Sequence, residues 1–175
     1  MTKDLDRKHI LIVGKKRDDR NRFLNDLITG TNKLVYRLPP NLRTFNEYIE
    51  QVRKLFPFVP TNWKEQNQRN WTRNQVWDFH LDWTENTHSI LIILEEFGEM
   101  EVNWRTEIIR DYLQTSYYQE GQNDGRLNFQ LIVTQDKDDD LVEKMISSIG
   151  INDNEKRTKE QVILGKLKII NLDLA

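Results

Sequence analysis

The chain has 175 residues, with 26 Lys and Arg against 28 Asp and Glu and a formal net charge of −2. Such a length suits one domain that buries about two-thirds of the surface its unfolded form exposes, and the near-neutral charge excludes a strongly basic nucleic-acid arm or an acidic solvating tail. With no cysteine, disulfide scaffolds, thiolate zinc centres and cysteine nucleophiles are excluded as well.

The N-terminal stretch Met1 to His9 is charged and leads into a short apolar run, and the longest apolar run, Ile90–Leu94, is only strand-sized. A secretory leader needs a longer apolar core and a membrane span about 20 apolar residues, so a soluble, cytoplasmic chain with no membrane segment is expected. Ile10–Gly14 (ILIVG) reads as a fully buried strand, short and branched and closed by Gly. A helix is predicted over Asp18–Ile28, with Phe23, Leu24, Leu27 and Ile28 on one face and Gly30 as its stop. Leu34–Leu38 is a second strand, closed by Pro39 and Pro40. Thr44-Phe-Asn-Glu47 matches a capping box and opens a helix carrying Phe45, Tyr48, Ile49, Val52, Leu55 and Phe56 at helical spacing, ended by Pro57.

Residues 61–75 are polar and rich in Asn and Gln, and read as an irregular insertion. Val76–Trp83 alternates, with Trp77, Phe79, Leu81 and Trp83 on one side, which predicts an extra strand. Ile90–Leu94 (ILIIL) is another buried strand, followed by a helix over Val102–Tyr118 with Ile108, Ile109, Tyr112, Leu113 and Tyr117 inward. Phe129–Thr134 is a strand, Leu141–Ile149 a helix, and Val162–Leu172 supplies the last strand. This alternation predicts one α/β domain over residues 1–175. It is a three-layer αβα arrangement with a mostly parallel, about five-stranded central sheet, plus the extra strand before Ile90. Ligands of such sheets bind at the carboxyl ends of the strands, so the residues after Val13, Leu94 and Val133 carry the interest.

A phosphate loop runs strand, G-x-x-x-x-G-K-[ST], helix: glycines let backbone N–H groups wrap phosphate, Lys reaches the outer phosphates and Ser or Thr holds magnesium. Between the first strand and helix the sequence reads Gly14-Lys-Lys-Arg-Asp-Asp19-Arg20-Asn21. Gly14 fits the first glycine. Asp19 stands at the second, Arg20 at the lysine and Asn21 at the Ser/Thr. Ile90–Glu96 (ILIILEE) resembles a Walker B strand, with Glu95 at the magnesium-associated position and Glu96 at the water-activating one. Phe129–Asp136 (FQLIVTQD) resembles the following strand of AAA-type ATPases, and Thr134 matches its polar sensor position.

By the order of these elements the chain resembles a divergent member of the P-loop NTPase superfamily, RecA/AAA-like branch, with degenerate Walker A and Walker B motifs. The resemblance spans His9 to Leu172, in topology more than in motif. It implies ATP or GTP with Mg2+ as ligand, held by Gly14, Lys15, Lys16, Arg20 and Asn21. Glu95 and Asn21 would be metal ligands, and Glu96 and Thr134 would be catalytic. Each residue has a structural alternative. The basic loop could be a solvated turn whose helix Asp18 or Asp19 caps. Glu95 and Glu96 could form ion pairs at a strand end. Thr134 could simply satisfy a loop backbone group. Asp138–Asp140 read as first-turn acids of the next helix.

Trp63 and Trp71, with Arg69 and Arg73 near them, suit stacking on single-stranded nucleic acid or a protein interface. His80, between Asp78 and Asp82, reads as an exposed strand residue, without metal-ligand spacing around it.

Lys15–Arg22 holds five basic and two acidic residues, and Glu95–Glu101 four acidic residues and no basic one. Both segments leave the same end of the predicted sheet, so ion pairs between them are expected where phosphate and magnesium would lie. The expected function is therefore a partner or interaction protein with a degenerate nucleotide site, nucleotide-responsive or nucleotide-free, whose hydrolase activity is weak or lost. An active divergent ATPase or GTPase is the alternative. A nucleic-acid-associated module using the basic loop, Trp63 and Trp71 is a second alternative. The sequence leaves the oligomeric state open.

Overall fold

A computed structural model of the chain describes residues 8–55, 90–120, 129–136 and 165–174. In chain order these form β1 (His9–Val13), α1 (Arg17–Ile28), β2 (Leu34–Arg37), α2 (Phe45–Leu55), β3 (Ile90–Leu94), a 3-10 turn (Phe97–Glu99), α3 (Val102–Glu120), β4 (Phe129–Gln135), β5 (Leu167–Asn171) and a second 3-10 turn (Leu172–Leu174). The expected extra strand at 76–83, the insertion at 61–75, the helix at 141–149, and Trp63, Trp71, His80 and Asp138–Asp140 lie outside the described residues.

The five strands form one sheet in the order β2-β3-β4-β1-β5. Every pairing is parallel, with Ile10 opposite Ile132, Ile93 also opposite Ile132, and Ile10 opposite Lys168. A parallel sheet covered on both faces needs apolar side chains on both. That is why β3 reads as a continuous apolar run and β1 and β4 are mostly apolar, and every residue of each is buried. The two faces sort by period two. Ile10, Ile12, Leu91, Ile93 and Ile132 pack with Leu24 and Leu27 of α1. Leu11, Val13, Ile90, Ile92, Leu94, Leu131 and Val133 pack with Tyr48, Ile49 and Val52 of α2 and Ile108, Ile109, Tyr112 and Leu113 of α3. The result is the expected three-layer αβα arrangement.

Local chemistry sets the helix ends. The Thr44 hydroxyl accepts from the Glu47 N–H at 3.2 Å, and the Glu47 carboxylate accepts from the Thr44 and Arg43 N–H groups at 3.1 and 2.8 Å. Those hydrogen bonds, Arg43's first, hold the Glu47 carboxyl below the usual carboxylate range. Beyond α1, Gly30 takes φ +79, a conformation that favours glycine. Neither Asp18 nor Asp19 caps α1. The N-cap is Lys16, in extended conformation and without a side-chain cap, so the sequence expectation is corrected there.

Helix α3 buries charge as well as apolar surface. Arg105, Arg110 and Asp111 are each almost wholly buried. Arg110 donates to Glu107 and, at 2.7 Å, to Asp111. In the layer between α2 and α3 the Tyr48 and Tyr112 hydroxyls meet at 2.5 Å. Burial pushes both phenols well above the ordinary tyrosine value.

Candidate functional site

The residues matched to the nucleotide site lie at the carboxyl ends of β1, β3 and β4, which the strand order brings side by side. The junction after β1 differs from a phosphate loop in its geometry. Helix α1 starts at Arg17, so only Gly14–Lys16 form the turn. Arg20 and Asn21 are helical, as the helix expected over Asp18–Ile28 requires. A short turn leading straight into a helix leaves little backbone to wrap a phosphate chain.

Gly14 has a packing role in this turn. A Cβ there would stand 3.1 Å from Leu172 Cβ, so glycine at position 14 lets the second 3-10 turn pack closely over the end of β1. The Lys15 N–H donates to both carboxylate oxygens of Asp173, at 3.0 and 3.2 Å. Asp173 is itself positioned by its own N–H, which donates to Asn171 Oδ1 at 3.0 Å. The backbone donor that an anion would use at this helix start therefore meets a carboxylate of the same chain. The Lys15, Lys16 and Arg17 side chains are exposed. Asn21 is partly buried, and its Oδ1 is buried with no hydrogen-bond partner.

Arg20 points inward. Its residue is only 3% exposed and that of Glu96 8%. Arg20 Nε donates to Glu96 Oε1 at 3.0 Å, Nη2 donates to Glu96 Oε2, and Nη1 donates to the Gly14 carbonyl. This is the planar two-point match of guanidinium to carboxylate that an ammonium cannot make. Strand β4 lies between β1 and β3, so the pair spans the end of β4. There the Thr134 hydroxyl accepts from the Glu96 N–H at 2.9 Å. Glu96 needs that support because its backbone is left-handed, at φ +51 and ψ +43, a region costly for a residue with a Cβ. Thr134 thus serves a loop backbone group in this structure.

Glu95 turns the other way. Its carboxylate takes Arg37 Nε at 2.5 Å and Arg37 Nη2 at 2.7 Å, and these hydrogen bonds raise the Arg37 pKa above the ordinary arginine value. Arg37, at the end of β2, is the site residue that sequence reasoning missed. Its signal was available: a cation ending a short strand just before Pro39, at the same end of the sheet as Glu95. The ion pairing expected between the basic and acidic segments is present at Arg20–Glu96, whereas Glu95 takes its partner from β2.

The arrangement comprises two guanidinium–carboxylate pairs with no net charge. The residues present do not fit a magnesium nucleotide. Glu95 and Glu96 face arginines, Asn21 sits inside a helix turn, and among the described residues no three acidic or histidine side chains converge as metal ligands.

No protein-family model matches the sequence, and no curated protein matches it. The fold is similar to that of Cdc6p from Pyrobaculum aerophilum, with a TM-score of 0.51 and 13% identity over 95% of this chain and 41% of that one. The ORC2 protein of Aeropyrum pernix, solved in ADPNP–ADP complexes, aligns more loosely, at a TM-score of 0.37 and 12% identity over 95% of this chain and 42% of that one. The chain therefore spans about two-fifths of the length of either. The likeness to Cdc6p shows the fold alone: a five-stranded parallel α/β sheet of P-loop NTPase-like type. Among the described residues no helix is long and apolar enough to cross a membrane.

Proposed function

We propose that the chain is a nucleotide-independent partner protein on a P-loop NTPase-like fold, with its nucleotide site degenerate and closed by internal ion pairs. The Arg20–Glu96 pair carries the proposal. It joins the residue at the Walker lysine position to the residue at the water-activating position. Transition-state stabilisation in phosphoryl transfer needs the first on phosphate and the second on water. A nucleotide entering here would either meet the Glu96 carboxylate or break the pair. Stranding a buried charge costs about 3–5 kcal/mol, which is roughly two to three and a half decades of affinity.

Glu95 and Asn21 then have no metal role, and Thr134 acts on the Glu96 backbone instead of on a phosphate. Calorimetric titration with ATP and GTP, with and without Mg2+, tests the proposal. No heat of binding at millimolar nucleotide is expected; micromolar binding would overturn it. A second reading, contact with nucleic-acid phosphates, draws on the exposed side chains of Lys15, Lys16 and Arg17. It predicts binding that weakens steeply with salt, and absence of binding at low salt would remove it.

A further inference from the structure

Glu96 holds a backbone conformation that its residue type disfavours. At φ +51 and ψ +43 it is left-handed, where a residue with a Cβ persists only if its surroundings over-determine it. Two contacts do so. Arg20 grips the carboxylate through Nε and Nη2, and the Thr134 hydroxyl takes the N–H at 2.9 Å. The residues that follow are fitted without slack. Phe97 and Met100 are buried in the layer shared with α2 and α3. Gly98 lies against the end of β4, where a Cβ would stand 2.9 Å from Asp136 Oδ1 and 3.5 Å from Gln135 Cβ. Its carbonyl accepts from Arg105 Nη1 at 3.1 Å. Arg105 is 1% exposed, and among the described residues its Nε has no hydrogen-bond partner. A buried guanidinium on α3 therefore depends on the position of a carbonyl two residues beyond Glu96.

We propose that the turn after β3 is a sprung link between the Arg20–Glu96 pair and the start of α3. With the pair closed, Glu96 is kept left-handed and Gly98 presents its carbonyl to Arg105. With the pair broken, Glu96 returns to an ordinary backbone region. The close packing of Phe97 and Gly98 then carries the change onward, because a densely packed interior transmits a displacement and does not absorb it. Arg105 loses its acceptor, and the first turn of α3, exposed at Val102 and Asn103, is held less firmly. A ligand or partner that draws Arg20 away from Glu96 thus loosens a surface on a different element. The inference rests on the closed-site proposal and adds what the closure controls.

The test is nuclear magnetic resonance on the whole protein without nucleotide, reading solvent exchange of the Arg105 guanidinium protons. Arg20→Met is combined with Glu96→Leu and, separately, with Glu96→Gly. Both doubles lose the same ion pair, but leucine is disfavoured in the left-handed region and glycine is not. The Leu double should bring residue 96 to negative φ, read from its backbone couplings and shifts, and speed Arg105 exchange about tenfold or more. The Gly double should keep Arg105 near wild type. Thr134→Val, in an otherwise native chain, should also speed Arg105 exchange, by a smaller factor, so the inference stays testable even if the Leu double does not fold. Equal Arg105 exchange in the two doubles, or an unchanged rate in Thr134→Val, would overturn the inference. Exchange of the Arg20 Nε–H in wild type reports separately on whether the pair is closed, so a failure of the closed site is told apart from a failure of the link.

Discussion

Replacing Glu96 by alanine should cost the domain about 3–5 kcal/mol. Arg20 would lose two charge-assisted hydrogen bonds, from Nε and Nη2, and keep only the one from Nη1 to the Gly14 carbonyl. At about 1.5–3 kcal/mol each, the lost bonds sum to about 3–6 kcal/mol. The usual cost of stranding a buried charge is about 3–5 kcal/mol. The two figures agree because Arg20 is 3% exposed and water cannot replace the carboxylate. Against a typical domain stability of about 5–15 kcal/mol, the loss is large. In a urea melt with a slope of about 2 kcal/mol per molar, the midpoint should fall by roughly 1.5–2.5 M. The double variant Arg20→Met with Glu96→Leu removes both charges and should recover most of the loss. In a working hydrolase site the carboxylate would serve function at the expense of stability, and its removal would be neutral or stabilising. A midpoint shift below about 0.5 M for Glu96→Ala, or a double variant as unstable as the single, would refute the reasoning.

Thr134→Val, close to isosteric, strands the buried Glu96 N–H and should cost about 1–3 kcal/mol, with Thr134→Ser near wild type in the same melts. Gly14→Ala should cost about 1–3 kcal/mol through the contact with Leu172 and leave nucleotide titrations unchanged. His9 gives a pH prediction. It is fully buried, and its Nδ1 accepts from the Leu131 N–H at 2.9 Å. Burial, then the charges of Lys166 and Lys33, lowers its pKa to about 3. Below about 6.5 the unfolded chain takes up a proton that the folded chain refuses. The contribution is thus complete above pH 6.5 and is lost as pH falls towards 3, with about 2 kcal/mol gone by pH 5. His9→Asn keeps an acceptor for Leu131. Urea melts at pH 7 and pH 5 should show a pH loss smaller by about 2 kcal/mol in that variant; an unchanged loss would contradict the assignment.

The fold was legible because burial on both sheet faces writes itself into β1, β3 and β4 as short, largely apolar runs, and because Thr44 and Glu47 mark the start of α2. The site was legible at the level of charge. The basic run at Lys15–Arg22 and the acidic run at Glu95–Glu101 announced that they would meet, and Arg20–Glu96 is that meeting. Its details were harder to read. Asp18 and Asp19 looked like caps, yet α1 starts one residue earlier than expected and its turn is tied by Asp173, more than 150 residues away in sequence. Arg37 escaped because its importance arises from strand order, in which β2 lies beside β3. Gly14 fitted a phosphate-loop pattern while serving Leu172. A glycine that permits close backbone packing cannot be told from one that cradles phosphate by its position in a motif.

The most direct measurement is nuclear magnetic resonance of the Arg20 Nε–H and the Glu96 amide in the whole protein, with and without millimolar ATP and Mg2+. If the pair closes the site, the Arg20 Nε–H exchanges slowly with solvent and neither resonance moves when nucleotide is added. A fast-exchanging Arg20 Nε–H, or both resonances shifting with saturable dependence on nucleotide, would contradict a closed site.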